Sequence, residues 1–499
     1  MARATVGVHY FALARDFNDF LARAFLKAAL VKSSCPLGFG TPSVPRPPKV
    51  KGLPLVGNTW QIFQRPWGFI QDSYRAFGSS YRVSIKGNDA IVLAGPEVRE
   101  LYSDAGDNFL DRAFFYEPLE KELQAKELIF RTKDHRHREM RRCASLAFSR
   151  HVAAEHMPAT AAEMIRFFES LTPGKTYDAL DLAGHVLIAS AGPMLGGCDL
   201  RAICPKAHEY SSTMMQVAAR TRSRLALLGP GYRRAKRHSI RFAGDLLQRW
   251  RRGEIGNAST NYIIDCVGDA RDDQGKPLPD ADLISLVLLT FVGVGVYINR
   301  VVAFMLYELF RDEKLRARVK AEVDGGFANG FTYEALRDMN LLHAVYCETL
   351  RRYPIWFIVP FRAEKDFVFD GKQVLRGEVL LISSVQEHFL PQNYPDPERF
   401  DPERCLPPRN EHLRRGVFAP FGAGGRRCIA TGQTEILSLL YVALLLSRTS
   451  FRGDPAYDLR VRLEPLPGPH RFRLQFEGMR EPVRSPSPAV ESRRSSAET

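Results

Sequence analysis

Apolar residues recur at helical spacing through most of the chain. This pattern predicts helices around residues 70–78, 117–150, 158–171, 205–221, 233–252, 281–325 and 333–353. The longest apolar stretch, from Leu283 to Ile298, is shorter than the about 20 residues that cross a bilayer, and it contains Ser285 and Thr290. It therefore predicts a long buried helix rather than a membrane span.

Short runs in which apolar and polar residues alternate predict a minority of strands near the two ends of the chain. These runs are YRVSIKG, AIVLAG, DFVFDG and HRFRLQFEG. No repeat of fixed period accompanies them. The predicted fold class is therefore mainly α with a minor β-sheet lobe.

Composition divides the chain into four predicted parts. Residues 1–40 form an amphipathic segment that lacks the pattern of a secretory signal, and it either packs on its own domain, which we favour, or lies on a membrane surface. Residues 41–58 are a stiff lead-in rich in Pro and Gly. Residues 59–479 make the globular domain, and the polar residues 480–499 predict a disordered tail.

Charge and cysteine usage narrow the choice of partner and compartment. The net charge of +14 suits an acidic partner, and the absence of zinc-finger spacing and of RNA-binding aromatic motifs favours a protein over a nucleic acid. The eight cysteines include no CxxC pair, so neither a zinc framework nor a disulfide scaffold is indicated. We expect a cytoplasmic protein, or a membrane-peripheral one if residues 1–40 contact lipid.

The sequence FAPFGAGGRRCIA places a cysteine directly before a strongly helical pattern. A helix N-terminus favours the thiolate form of Cys428, which would then serve as a ligand or a nucleophile. A phosphate-binding loop would need a Lys-Ser/Thr pair that is missing here, and a cysteine hydrolase would need a His or Asn that the sequence does not identify. A haem-ligating thiolate needs close backbone approach, N–H donors and a nearby cation, and this loop supplies each of them.

The loop resembles the haem-binding signature Phe-Gly-x-Gly-x-Arg-x-Cys-x-Gly of the cytochrome P450 family. The matching residues are Phe421, Gly422, Gly424, Arg426 and Cys428, with Ala430 in place of the last glycine. The resemblance extends over roughly residues 45–475. It implies the cytochrome P450 fold for the catalytic domain 59–479, with haem b (iron protoporphyrin IX) bound by Cys428 between the long central helix and the helix that follows the cysteine.

Weaker matches outside the loop agree with the same family. Glu348 and Arg351, three residues apart on one helical face, resemble the family's buried Glu-Arg-Arg cluster, which Arg404 would complete. By the same resemblance, the haem propionates would be held by His137, Arg141, Arg362 and Arg426.

The central helix departs from the family pattern. Most relatives carry an acid and a threonine there, which relay protons to dioxygen, whereas the matching stretch FVGVGVYINR places Gly295 and Val296, or Val296 and Tyr297, at those positions. Tyr297 is the candidate replacement proton donor, or it only lines the pocket. Gly293 and Gly295 weaken the helix and suit a bulge or close contact with the macrocycle, with a packing notch as the alternative.

Three functions remain open on these residues. The first, which we favour, is a monooxygenase that inserts one oxygen atom from O2 into an apolar, polycyclic or lipid-like substrate, with electrons from NAD(P)H through an acidic ferredoxin or flavoprotein reductase. The basic pairs 141–142, 351–352 and 426–427 would attract that partner. The second is a peroxygenase, isomerase or dehydratase without external electrons, and the third is a haem-binding protein without activity. Candidate pocket residues are Phe114, Phe115, Trp356, Phe357 and Ile358, with packing in the core as an equal alternative for each of them.

Overall fold

The structure is a computed structural model, and most of its described residues lie in helices. It describes residues 44–101, 108–111, 113–125, 129, 134–219, 221–256, 262–272, 274–328 and 330–481. The predicted segment 1–40 and nearly all of the predicted tail 480–499 lie outside these ranges. Residues 44–58 of the lead-in run beside the first strand, where the N–H of Val50 donates to the carbonyl of Arg82 at 2.9 Å.

The α-helices are numbered here in chain order. They are α1 Thr59–Gln64, α2 Pro66–Phe77, α3 Val98–Leu101, α4 Ala113–Leu123, α5 Asp134–Ala147, α6 Arg150–Glu155, α7 Met157–Glu169, α8 Ala179–Ala189, α9 Gly192–Gly196, α10 Cys204–Ala218, α11 Pro230–Arg251, α12 Ile263–Gly268, α13 Asp280–Val292, α14 Asn299–Arg311, α15 Glu313–Gly326, α16 Tyr333–Arg337, α17 Asn340–Arg352 and α18 Thr431–Arg448. A π-helical segment, Gly293–Ile298, joins α13 to α14.

The strands form four small sheets. They are β1 Ser80–Ile85, β2 Asn88–Ala94, β3 Leu110–Asp111, β4 Thr176–Asp178, β5 Val359–Ala363, β6 Phe367–Phe369, β7 Lys372–Val374, β8 Val379–Ser383, β9 Thr449–Gly453, β10 Val461–Leu463, β11 Pro467–Pro469 and β12 Arg473–Met479. The largest sheet has the order β1-β2-β8-β5-β3, and only its β2–β8 pair is parallel. The others are β4-β12-β9, β10-β11 and β6-β7.

The architecture confirms the predicted class, mainly α with a minor β-sheet lobe. The four predicted strands correspond to β1, β2, β6 and β12. The single helix predicted over 281–325 is wrong at one point, because it ends at Arg311 and restarts at Glu313. The side chain of Asp312 caps the new helix by accepting from the N–H of Leu315 at 3.0 Å.

The core is built around two helical runs. In α18, the side chains from Ile436 to Ser447 are buried without a break, and the run α13–α14 is buried over most of its length. Two described stretches, Ala179–Gly196 and Asp280–Arg311, have the length and apolarity of a membrane span. Because 78% and 72% of their most apolar windows are buried inside the protein, packing in the core explains their composition.

Candidate functional site

The loop before α18 holds Cys428 in a fixed position. Gly422 and Gly424 adopt φ values of +76° and +63°, in the left-handed region that glycine enters without steric cost. The loop then closes on itself, because the N–H of Cys428 donates to the carbonyl of Phe421 at 2.9 Å. The hydroxyl of Thr431, in the first turn of α18, donates to the carbonyl of Cys428 at 3.0 Å.

The Cys428 side chain is exposed to open space although protein surrounds the loop. Burial raises the pKa of the Cys428 thiol, while the N–H of Ala430 and the guanidinium groups of Arg141 and Arg427 lower it. The N–H at the helix N-terminus therefore favours the thiolate, as the sequence argument expects, and burial opposes it. A bound metal cation would favour the thiolate further, because coordination deprotonates a thiol.

Of the predicted propionate residues, Arg141 is tied directly to the cysteine loop. Its guanidinium, on α5, donates to the carbonyl of Arg427. His137 lies one turn earlier and is buried, with Nδ1 3.0 Å from the carbonyl of Ile129. Arg362 lies on β5 opposite Asp111 of β3, and Arg426 belongs to a short 3₁₀ turn, Gly424–Arg426, its side chain being outside the described part. Their contacts with haem stay predictions.

A buried ionic cluster lies on the cysteine side. The guanidinium of Arg351 donates to both carboxylate oxygens of Glu348 at 2.7 and 2.8 Å, and Nε of Arg404 lies 3.5 Å from Glu348 Oε1. All three side chains are at most 2% exposed. The predicted Glu-Arg-Arg cluster is confirmed. The sequence did not reveal its fourth member, Glu411, whose Oε2 is 3.3 Å from Nη1 of Arg404.

This burial corrects the predicted basic surface. Arg351 cannot attract a partner, because its guanidinium is enclosed and also donates to the carbonyls of His388 and Pro397 at 2.9 and 2.8 Å. Arg352 is mostly covered and pairs with Glu398 at 2.8 Å. Arg142 and Arg427 are exposed. The pair 351–352 therefore does not belong to the predicted docking surface.

The two glycines of the central helix have different surroundings. A Cβ atom on Gly293 would meet no heavy atom within 4 Å, so this position faces open space. A Cβ atom on Gly295 would lie 2.7 Å from Cδ1 of Ile188 on α8, so this glycine is a packing notch between helices. Both belong to the π-helical segment, a distortion that is frequent at functional sites.

A buried arginine that the sequence did not single out stabilises the π-helical segment. The guanidinium of Arg300 donates to the carbonyl of Val296 inside the segment and to the carbonyl of Glu464, and it reaches the carbonyl of Leu466 at 3.3 Å. Within the described ranges it has no carboxylate partner. Burial lowers its pKa to about 10, so it remains cationic at neutral pH.

Aromatic side chains form an apolar cluster next to this segment. Tyr297 contacts Trp356 edge to face with ring centroids 5.8 Å apart, and Trp356 contacts Phe115 of α4 at 6.4 Å. Burial raises the pKa of Tyr297, and its hydroxyl points at Sδ of Met215, a weak acceptor, at 4.0 Å. Phe357 is buried and Ile358 half-buried, and the Phe114 side chain is outside the described part.

These features fit a flat, largely apolar cofactor with anionic edges. The thiol of Cys428 faces open space, Gly293 offers no side chain to obstruct close approach, and Arg141 supplies a cation. No group of three or more His, Cys, Asp or Glu residues in the described ranges is arranged as a metal site. Thiolate ligation of haem iron is therefore the metal chemistry that this donor set supports.

The family model for cytochrome P450 matches residues 45–465. The chain is 28% identical to cyclooctat-9-en-7-ol 5-monooxygenase of Streptomyces melanosporofaciens, over 83% of this chain and 89% of that protein. It is 26% identical to pentalenene oxygenase of Streptomyces avermitilis, over 85% and 95%, and 26% identical to sterol 14alpha-demethylase of Mycobacterium tuberculosis, over 73% and 82%.

A solved structure shares the fold. Cyanobacterial CYP120A1 with bound retinoic acid superposes with a TM-score of 0.72 at 20% identity, covering 87% of this chain and all of that one. The fold, the cysteine loop and the match over most of the sequence agree with one another. The chain therefore belongs to the cytochrome P450 family of haem-thiolate monooxygenases.

Proposed function

We propose that this monooxygenase oxidises an apolar, polycyclic or lipid-like substrate with electrons from NAD(P)H delivered by an acidic redox protein. The observation that carries the substrate class is the aromatic cluster of Phe115, Trp356 and Tyr297, with Met215 beside it. Apolar walls bind apolar ligands because they bury the ligand surface from water. Relatives named for terpenoid and sterol substrates support the same class.

Different residues of the chain would have different roles in haem binding. Haem, when bound, supplies the oxygen-activating chemistry. Cys428 would bind its iron, Arg141, His137 and Arg362 would hold the propionates, and the buried Glu348 cluster keeps the underlying loop in shape. Phe421 closes the cysteine loop by accepting the N–H of Cys428.

An acidic ferredoxin or flavoprotein fits the exposed surface beside the cysteine loop. Arg138 and Arg142 of α5 and Arg427 of the loop are exposed, as is Leu146, at 62%. Basic residues around an apolar contact steer an acidic partner, and a partner docked there would lie beside the cysteine loop. We place the protein in the cytoplasm, with any membrane contact assigned to residues 1–40.

A peroxide-driven reaction is the second candidate. The observation in its favour is that neither register of the central helix, Gly295–Val296 or Val296–Tyr297, supplies the acid of the family pattern. Such chemistry needs no electron donor and no delivered protons.

One experiment separates the candidates. Purified protein is incubated with terpene alcohols, sesquiterpenes and sterols, with either a reductase plus NAD(P)H or hydrogen peroxide alone. We expect hydroxylated product that depends on NAD(P)H and O2. Turnover that occurs only with peroxide would establish the second candidate, and polar substrates oxidised in preference to apolar ones would contradict the proposed substrate class.

A further inference from the structure

A histidine fills the space that two glycines leave between three helical elements. His208 of α10 lies where a Cβ atom on Gly184 of α8 would come within 2.5 Å of its Cε1 atom. A Cβ atom on Gly295 of the π-helical segment would lie 3.6 Å from its Nδ1 atom. The imidazole therefore reaches Gly295, which stands at the acid position of the family pattern in the first of the two registers given above.

The two ring nitrogens of His208 face different surroundings. Nε2 lies 3.8 Å from Oδ1 of Asp181, whose side chain is 68% exposed. Nδ1 is buried and has no hydrogen-bond partner among the described residues. Nε2 therefore lies beside a carboxylate that is exposed to solvent, and Nδ1 faces Gly295.

Other polar groups around His208 are already engaged. His185 of α8 lies beside it, with ring centroids 4.5 Å apart, but its Nδ1 contacts the carbonyl of Asp181 at 2.8 Å. Asn299 donates to the carbonyl of Leu180 at 3.3 Å and receives from Arg300 at 3.2 Å. Interaction with His208 is the largest cause of the lowered pKa of Asp181, which agrees with a functional Asp181–His208 pair.

We propose that His208 relays protons from solvent, by way of Asp181, to the π-helical segment, and so replaces the acid that is missing at Gly295. The inference rests on the proposed O2-driven reaction. Insertion of one oxygen atom from O2 consumes two electrons and two protons and releases one water, whereas the same insertion from hydrogen peroxide consumes neither. A proton taken up at Nε2 from the Asp181 side allows the ring to give up its Nδ1 proton toward the π-helical segment, and rotation of the imidazole then exchanges the two nitrogens and resets the relay.

The test compares His208→Gln with His185→Gln, the neighbouring histidine, in the haem-loaded full chain. With reductase, NAD(P)H and O2, product formed per NAD(P)H should fall roughly 100-fold in His208→Gln, the lower end of general acid–base contributions. His185→Gln should match the unsubstituted protein. With hydrogen peroxide as oxygen source, all three should give equal turnover, because no protons need to be delivered.

A second readout does not depend on turnover. The Asp181 carboxyl, followed by carbon-13 NMR, should titrate at higher pH in His208→Gln, because the substitution removes the group that lowers its pKa. An unchanged Asp181 titration, an unaffected O2-driven reaction, or equal loss with O2 and with peroxide would each overturn the relay. Absence of O2-driven turnover in the unsubstituted protein would overturn the proposed function as well, and so the two failures are distinguishable.

Discussion

The cysteine side of the site and its distal side, which is the π-helical segment with its neighbours, differ in how far the family pattern predicts their polar residues. On the cysteine side, Glu348, Arg351 and Arg404 bind one another in the arrangement that their spacing predicts. On the distal side, neither register of the family pattern supplies an acid, and the polar groups come from elsewhere: the guanidinium of Arg300 donates into the π-helical segment, and His208 of α10 lies against Gly295. The comparison supports haem attachment by the family pattern and agrees with the proposal that protons are delivered by other residues.

The largest expected effect concerns the cysteine side. Glu348→Ala leaves the buried guanidinium of Arg351 without a carboxylate, while Arg404 keeps Glu411, so the free energy of unfolding should fall by about 3–5 kcal/mol and little haem-loaded protein should form. Glu398→Ala removes an exposed carboxylate from Arg352 and should cost less than about 1 kcal/mol. Denaturant unfolding and haem content measure both. Similar costs for the two variants would contradict the structural role of the buried cluster.

The next largest effect is a pH dependence of the free energy of unfolding, caused by a histidine on the cysteine side. His388 is buried between two loops, with Nε2 accepting from the N–H of Ala419 at 3.0 Å, and burial lowers its pKa from 6.5 to about 3. Between these values the unfolded state binds more protons than the folded state, so stability falls as pH falls, by about 1.4 kcal/mol per pH unit.

His388→Gln, whose amide keeps an acceptor for Ala419, should lose much of this dependence. The measurement is the free energy of unfolding of both proteins from pH 6.5 to pH 4.5. Parallel curves would show that His388 is not held neutral by its surroundings.

The smallest expected effect is a difference in stability between alanine substitutions of Gly293 and Gly295. Gly295→Ala should destabilise the protein by about 1 kcal/mol, because crowding Ile188 costs about 1–3 kcal/mol and exceeds the about 1 kcal/mol that alanine gains over glycine in a helix. Gly293→Ala meets no neighbour and should be neutral or stabilising by up to about 1 kcal/mol. Denaturant unfolding measures the change in the free energy of unfolding for both variants. A change of the same sign in both would contradict the different surroundings described for these glycines.

Sequence reasoning succeeded where the interacting residues are close in the chain or in a known order. The Cys428 loop is one contiguous stretch, and Glu348 and Arg351 lie on one helical face. Arg300 and Leu466 are separated by 166 positions, and nothing in the sequence pairs them. His208 was also missed, because its surroundings depend on glycines in two other helical elements.

Strand β8 was missed for a different physical reason. Its five residues are all buried, so it lacks the alternation of apolar and polar positions that marks a half-exposed strand. The break at Asp312 was missed because a capping aspartate inside a long helical pattern looks like a surface residue of one continuous helix. The presence of the helices could therefore be predicted from the sequence, whereas the points at which they bend or end depended on tertiary contacts.

Ligation by Cys428 is tested most directly by the absorption spectrum of the reduced, carbon monoxide-treated holoprotein. We expect the red-shifted band that is diagnostic of a thiolate opposite carbon monoxide, its loss in Cys428→Ser, and its retention in Cys347→Ser, which alters a buried cysteine outside the loop. A band that persists in Cys428→Ser, or an imidazole-type spectrum in the unsubstituted protein, would contradict ligation by Cys428.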